Sequence, residues 1–248
     1  MGDLLLEPSQ YELLIESSLM TIRILVGAFV LGIVLSLIFG VARLSDVEWV
    51  RGAALVFVEL ARGSSSIILL FMAAYALPAI LDIDQPPLQY AAIVALGINM
   101  GGYGAEIIRG AILSVPKGQN EASISLNLSP FQRLRHVVLP QAMTVILPPM
   151  GNLTIEILKG TALVSLIGVT DIMGMANNIR QQQLANASGS LPILYLNVLV
   201  LYFILSQVVS IAFRFLEWQN TKRFKGGPTL SADELPASIR SQQPGAGG

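Results

Sequence analysis

The chain has 248 residues, of which 53% are apolar and only 12% charged, with a net charge of −1 and a mean hydropathy of +0.66. Soluble domains carry about 25% charged residues, so this composition excludes an ordinary water-soluble domain. Cysteine is absent and His136 is the only histidine, which excludes disulfides, thiolate nucleophiles and cysteine-ligated metal and leaves no histidine-based metal or catalytic site to expect.

In chain order, five windows carry no charge: 24–42, 63–81, 85–105, 137–155 and 191–213. Each approaches the ~20 residues that cross a ~30 Å hydrocarbon core as a helix. Backbone polarity allows only helices or closed barrels in lipid, and these runs lack the alternation of barrel strands. The expectation is an all-α integral membrane protein with spans at about 18–42, 58–81, 87–110, 138–160 and 191–215.

Residues 1–17 lack a basic leader and read as an extracytoplasmic N-terminus rather than a cleaved signal, with 12–20 leading into the first span. Residues 47–60 are amphipathic and suit a cytoplasmic elbow that runs into the second span, which Pro78 closes. Pro86 and Pro87 open the third, where Gly97 and Gly101 have GxxxG spacing, for packing within one subunit or for a subunit interface. In the fourth, Pro148 and Pro149 each remove an intrahelical donor, so a kink or unwound turn is expected just before Gly151 and Asn152. Irregular backbone at that depth is tolerated where it lines a cavity. Residues 168–189 would lie on the outer face with a short interfacial helix, and 226–248, rich in Gly, Pro, Ser and Gln, read as a disordered cytoplasmic tail.

Charge sets the orientation. Arg43, Arg51 and Arg62 lie between the first two spans, Arg109, Lys117, Arg133 and Arg135 between the third and fourth, and Arg214, Lys222, Arg223 and Lys225 follow the fifth. The other connections carry Glu7, Glu12, Glu16, Asp82, Asp84 and Asp171, with Arg180 the basic exception. The positive-inside rule then places the N-terminus outside and the C-terminus in the cytoplasm.

The 115–140 connection, VPKGQNEASISLNLSPFQRLRHVVLP, is punctuated as a helix–turn–helix. A first short helix is expected over 118–126, with Glu121 near its start, where the helix dipole favours a carboxylate. Asn127 suits the left-handed position after the helix, for which Asn ranks second to Gly. Ser129, Pro130 and Gln132 then form an N-cap, a first-turn proline and a capping-box partner, opening a second helix that carries Arg133 and Arg135.

Gly118, Glu121-Ala122-Ser123, Asn127 and Leu139-Pro140 together resemble the loop EAA-x3-G-x9-I-x-LP of bacterial ABC-importer permeases. Ser123 and Asn127 stand where that family usually has Ala and Gly. The resemblance extends over about 16–217: ELARGSSSIILLFMAAYALP, YGAEIIRGAILSVPKGQ and LPPMGNLTIEILKGTALVSLIGVTDI are similar to the polar amino-acid branch, with Ser64-Ser65 in place of the usual Thr-Pro. It implies the type I importer permease fold, with a permease domain over 18–217 in the bacterial inner membrane. It implies docking of a separate ABC ATPase dimer on the loop, through Gly118, Glu121, Ala122, Ser123, Asn127, Arg133, Leu139 and Pro140. A second permease, identical or similar, and an extracytoplasmic solute-binding protein complete the expected set of partners, with none for nucleic acid. The implied cargo is a polar amino acid or similar zwitterion; an ectoine-type compatible solute is the alternative. No cofactor is expected on this chain, and ATP belongs to the partner, because no phosphate loop occurs in the sequence.

Ionisable residues inside a span point to function. Asn152, Glu156 and Lys159 fall on one helical face, where Glu156 could meet an ammonium and Lys159 a carboxylate; a structural Glu156–Lys159 ion pair is the competing reading. Asn99 and Tyr75 are further candidates for the path. Glu106 and Arg109 read as a structural pair or gate, and Trp49 and Trp218 as interfacial anchors. An intramembrane enzyme lacks any carboxylate cluster at catalytic spacing, and a stand-alone channel or secondary transporter would not need the docking loop.

Overall fold

The structure is a computed structural model that describes residues 6–186 and 189–224. Among the described residues ten α-helices follow one another: α1 (Pro8–Ala42), α2 (Glu48–Gly63), α3 (Ser66–Phe71), α4 (Leu77–Leu81), α5 (Leu88–Leu113), α6 (Lys117–Ser125), α7 (Pro130–Arg133), α8 (Leu139–Gly160), α9 (Ile172–Ala185) and α10 (Leu191–Phe224). π-turns at Met72–Ala76 and Leu134–Val138 join α3 to α4 and α7 to α8, and a 3₁₀ turn at Thr161–Ile167 extends α8. Residues 1–5 and the expected tail at 226–248 lie outside the described residues.

α1 and α5 form the spine. Residues 14, 17, 21, 24, 25, 28, 32, 36 and 40 of α1 are buried, one face at helical spacing. A Cβ on Gly97 would collide with Leu31, one on Gly101 with Leu35, and one on Gly104 with the Ser36 side chain. The GxxxG pair is therefore consumed by packing inside the subunit, each glycine receiving a leucine of α1, while Gly32 and Gly40 of α1 in turn receive Met100 and Ile108 of α5. Close backbone approach of this kind is how apolar helices associate where lipid offers no hydrophobic drive. The Ser36 hydroxyl donates to the Gly32 carbonyl at 2.6 Å and adds no unsatisfied polar group.

The same contacts fix direction. Gly27 meets Ile93 and Gly40 meets Ile108, so α1 and α5 run parallel; Gly160 faces Leu96, Gly104 faces Met150, and α8 runs back. Gly151 lies against Phe213 while Thr161 meets Tyr202, so α10 reverses again. Two parallel helices need a return between them, and α3–α4 supplies it. Among the described residues four helical segments are long and apolar enough to cross a membrane alone, or five if the bent α2–α4 segment counts as one span. The basic connections collect at the end that holds α2, α6 and α7, and the acidic ones at the end that holds α9.

Two expectations need correction. The second span does not begin near residue 58: the elbow helix α2 continues to Gly63, extended Ser64 and Ser65 follow, and the chain turns by 104° before Ser66–Leu81. Those 16 residues rise only about 24 Å. Nor does Pro148-Pro149 unwind the fourth span: α8 is helical from Leu139 to Gly160 with both prolines inside. The flanking turns carry Ile146, Leu147 and Met150, all buried in the core, and this packing holds the helix across the missing donors.

The chain adapts to proline by π-turns instead. Leu77 and Leu139 each donate to the carbonyl five residues earlier, just before Pro78 and Pro140. At Pro78 the Ala74 carbonyl, which a proline cannot serve, accepts from the Gln85 side chain at 3.2 Å.

A second, smaller core joins α9 to the N-terminal ends of α1 and α10 through Leu14, Ile172, Ala176, Ile179 and Leu194. Fully buried Asp171 caps α9 by accepting from the Gly174 amide at 2.9 Å and from the Tyr202 hydroxyl at 3.1 Å. The Ile172 amide donates to Thr21. Burial pushes the Asp171 carboxyl above its ordinary range, more than these hydrogen bonds pull it down.

Candidate transport path and docking segment

α6 begins at Lys117, after Pro116, one residue earlier than expected. Glu121 therefore lies in its second turn, exposed, and gains less from the helix N-terminus than a first-turn acid would. Gly118 lies in open space, Ala122 is exposed, and Ser123 is buried. The turn forms as the sequence predicts: Asn127 is left-handed at φ 56°, its amide donates to Ile124 at 2.8 Å, and the Leu128 amide donates to Ser123 at 3.2 Å. That pair of bonds is a Schellman motif. Ser129 and Gln132 then complete a reciprocal capping box.

The α7 segment has two faces. Phe131, Gln132, Arg135 and His136 are exposed. Arg133, half-buried, turns the other way with Pro130, Leu134 and Val138 to line a cavity of about 740 Å³. Leu139 and Pro140 are half-buried at the start of α8. Around the turn, Ile124, Leu126 and Phe131 are 55%, 74% and 68% exposed, an apolar surface that the sequence reading passed over. The signal available was the placing of Ile124, Leu126 and Phe131 on either side of the polar turn residues Asn127 and Ser129. Gln141 of α8 donates to Gln119 of α6 at 3.3 Å, beside a second cavity of about 460 Å³ that includes Thr144 and Val145.

α8 leaves one face bare. Thr144, Val145, Pro148, Asn152, Glu156 and Lys159 are exposed, while Ile146, Met150, Leu153, Ile157 and Leu158 enter the core. Asn152, Glu156 and Lys159 share that bare face over about 10 Å of helix rise. No ion pair joins Glu156 to Lys159 among the described residues.

The other two candidates sit elsewhere. Asn99 is buried and its amide donates to the Ala61 carbonyl at 3.3 Å, holding the end of α2 on α5. The Tyr75 hydroxyl donates to the Ile167 carbonyl at 2.7 Å and ties the π-turn to the end of the 3₁₀ segment. The Glu106–Arg109 pair exists, at 2.9 Å, and extends to Arg43 at 3.2 Å, joining the ends of α1 and α5. Trp49 and Trp218 are both exposed.

A bundle of alternating spans, with a short helix–turn–helix at its basic end and one charged face left open, defines the permease class of membrane transport subunit. Residues 2–218 match the family described as binding-protein-dependent transport system inner membrane component, and the chain belongs to that family. It is 38% identical over 211 residues to the glutamine transport system permease protein GlnP of Escherichia coli (strain K12), covering 83% of this chain and 91% of the relative. It is 37% identical to the probable amino-acid ABC transporter permease protein y4tF of Sinorhizobium fredii, covering 83% and 86%. Among solved structures, an amino acid ABC transporter crystallised with histidines superposes with a TM-score of 0.73 at 30% identity, covering 84% of this chain and 94% of that one. The MetNI methionine ABC transporter shares the fold, with a TM-score of 0.65 at 22% identity and coverage of 87% and 99%. This chain is accordingly a multi-pass inner-membrane permease subunit, and ATP hydrolysis resides in a separate subunit.

Proposed function

We propose that this permease carries a polar amino acid or a similarly small zwitterion inward, between itself and a second permease. The observation that carries the reading is the bare face of α8, where Asn152, Glu156 and Lys159 lie in line and no ion pair engages Glu156 or Lys159 among the described residues. Charges in a span are expensive unless they face a partner or a wet cavity. A second permease placed against this face encloses them, and the opposite signs of Glu156 and Lys159 suit the ammonium and carboxylate of one solute. The relatives' names, which specify glutamine and amino acids, support the same class. Asn99 and Tyr75, committed to backbone carbonyls, position helices in this reading and do not contact solute.

At the basic end, α6 and the outward face of α7 receive the ATPase. Glu121, Ala122, Ile124, Leu126 and Phe131 offer a mixed apolar and acidic surface, held in shape by the Asn127 turn. Closure of two ATPases brings the paired loops together and reopens the path outward, where a solute-binding protein delivers cargo. The excess of Arg and Lys at this end supports a cytoplasmic placement, with the N-terminus outside.

The test is uptake of labelled polar amino acids and of ectoine in cells with and without the chain, repeated under a protonophore with ATP maintained. Loss of amino-acid uptake that resists the protonophore is expected, and Glu156→Gln should shift solute preference while leaving the complex assembled. Loss confined to ectoine would reassign the cargo, and transport unaltered by Glu156→Gln would remove Glu156 from the path.

A further inference from the structure

We infer that the 740 Å³ cavity beside α7 is a binding site for an anionic phospholipid, with Lys117 and Arg133 on its phosphate. The cavity lies where the end of α1, the start of α2, the end of α5 and the α7 segment converge, at the ends of two long apolar helices. Its walls are mostly apolar and include Ala42, Leu44, Ile112 and Val138. Two lining residues, Val50 and Leu113, are 44% and 60% exposed and carry the apolar surface outward from the cavity.

Lys117 and Arg133 are the charged residues of the lining, and neither reaches a carboxylate among the described residues. Of the neighbouring acids, Glu106 holds Arg43 and Arg109, and Glu48 lies 3.9 Å from Arg51. Exposed Asp46 of the α1–α2 turn and exposed Glu121, one turn along α6 from Lys117, are the carboxylates outside these pairs; with Arg43 and Arg109 sharing the single charge of Glu106, the balance around the cavity stays positive. A guanidinium and an ammonium on one rim match a phosphate, which Arg can grip through two donors. A free phosphate would gain nothing from the apolar walls, whereas a lipid fills both parts of the site. Basic pockets at the cytoplasmic ends of membrane helices select anionic headgroups for this reason.

Arg133 is thereby moved from the ATPase-facing set to the lipid-facing side of the same short helix. A lipid held there touches α1 and α2 on one side and the docking segment on the other, so the segment senses the charge of its leaflet. Which leaflet that is rests on the orientation proposed above; the site itself does not.

The experiment is native mass spectrometry of the full-length chain, purified with the subunits that accompany it and incubated with phosphatidylglycerol, phosphatidylcholine or inorganic phosphate. Two basic contacts, each worth about 1 kcal/mol, predict retention of phosphatidylglycerol over phosphatidylcholine by about thirtyfold. The double substitution Lys117→Gln with Arg133→Gln should abolish that preference, while Arg135→Gln, on the exposed face of the same segment, should keep it. Ile112→Trp, which fills the cavity, should reduce retention of both lipids. Equal retention of the two lipids, competition by inorganic phosphate alone, or a preference that survives the double substitution would overturn the assignment. The readout requires no transport, so its failure is separable from failure of the amino-acid reading.

Discussion

Replacing Asn127 tests the docking segment at its tightest point. The residue sits at φ 56°, and two amide bonds, Asn127 to Ile124 and Leu128 to Ser123, depend on that conformation. A residue with an ordinary Cβ loses about 1–2 kcal/mol in the left-handed region, Asn loses less, and Gly loses none. Measured from Gly this is about five- to thirtyfold in the open fraction of the turn, at 1.4 kcal/mol per factor of ten, and Asn127→Ala should raise that fraction by no more than this. Asn127→Val should exceed it, because β-branching adds to the strain, and Asn127→Gly should be nearly silent. Amide hydrogen exchange at Asn127 and Leu128 reads the opening directly, and ATPase stimulation in the assembled complex should fall in the same order. A severe defect in Asn127→Gly, or a silent Asn127→Val, would refute the argument that left-handed geometry shapes the docking surface.

Further outcomes are as definite. Glu106→Ala strands Arg43 and Arg109 together; breaking a buried pair costs about 3–5 kcal/mol, and side-chain exposures of 16–31% reduce this to about 2 kcal/mol, to be read as lowered thermal stability in detergent. Gly101→Val drives a branched side chain into Leu35 and should cost about 1–3 kcal/mol by overpacking; a neutral effect would show that α1 can withdraw. Glu121→Lys should impair ATPase assembly or stimulation while leaving permease stability unchanged, because Glu121 forms no ion pair among the described residues. Asp171 titrates above its ordinary 3.8 because of burial, so its contribution to stability is full below that value and is lost as pH rises through the folded-state value. Asp171→Asn keeps an acceptor for Gly174 and should flatten that slope in thermal unfolding across acid pH; an unchanged slope would assign the dependence to another group.

The sequence was most readable where local chemistry decides the outcome. Ser129, Pro130 and Gln132 can do little else but start a helix, and Asn127 tolerates a conformation that most residues avoid. The five apolar windows likewise had one solution in lipid. The bend at Ser64-Ser65 was harder, because the apolar window begins at Gly63 and hides a two-residue extended break. The prolines misled in opposite ways: Pro148-Pro149 stay inside α8 because buried neighbours hold it, and Pro78 and Pro140 are absorbed by π-turns. Direction was the other hidden quantity. Arg133 and Asn99 fitted their expected roles as residue types, but tertiary packing turns one toward the α1–α2 corner and commits the other to Ala61. Gly97 and Gly101 left subunit packing and interface equally open in the sequence; Leu31 and Leu35 of α1 fill the space above them.

The open face of α8 also bears on how the cell makes this protein. An orphan copy in the bilayer would present Glu156 and Lys159 to acyl chains, each at a cost of about 2.5–3.5 kcal/mol or more at the membrane centre, comparable to a domain's whole margin of stability. Unmated subunits should therefore be short-lived substrates for membrane proteases, and their lifetime should lengthen when the second permease is co-expressed. On the proposed pairing, the amount of this permease that survives is set by how much of it finds a second permease, with surplus removed by turnover.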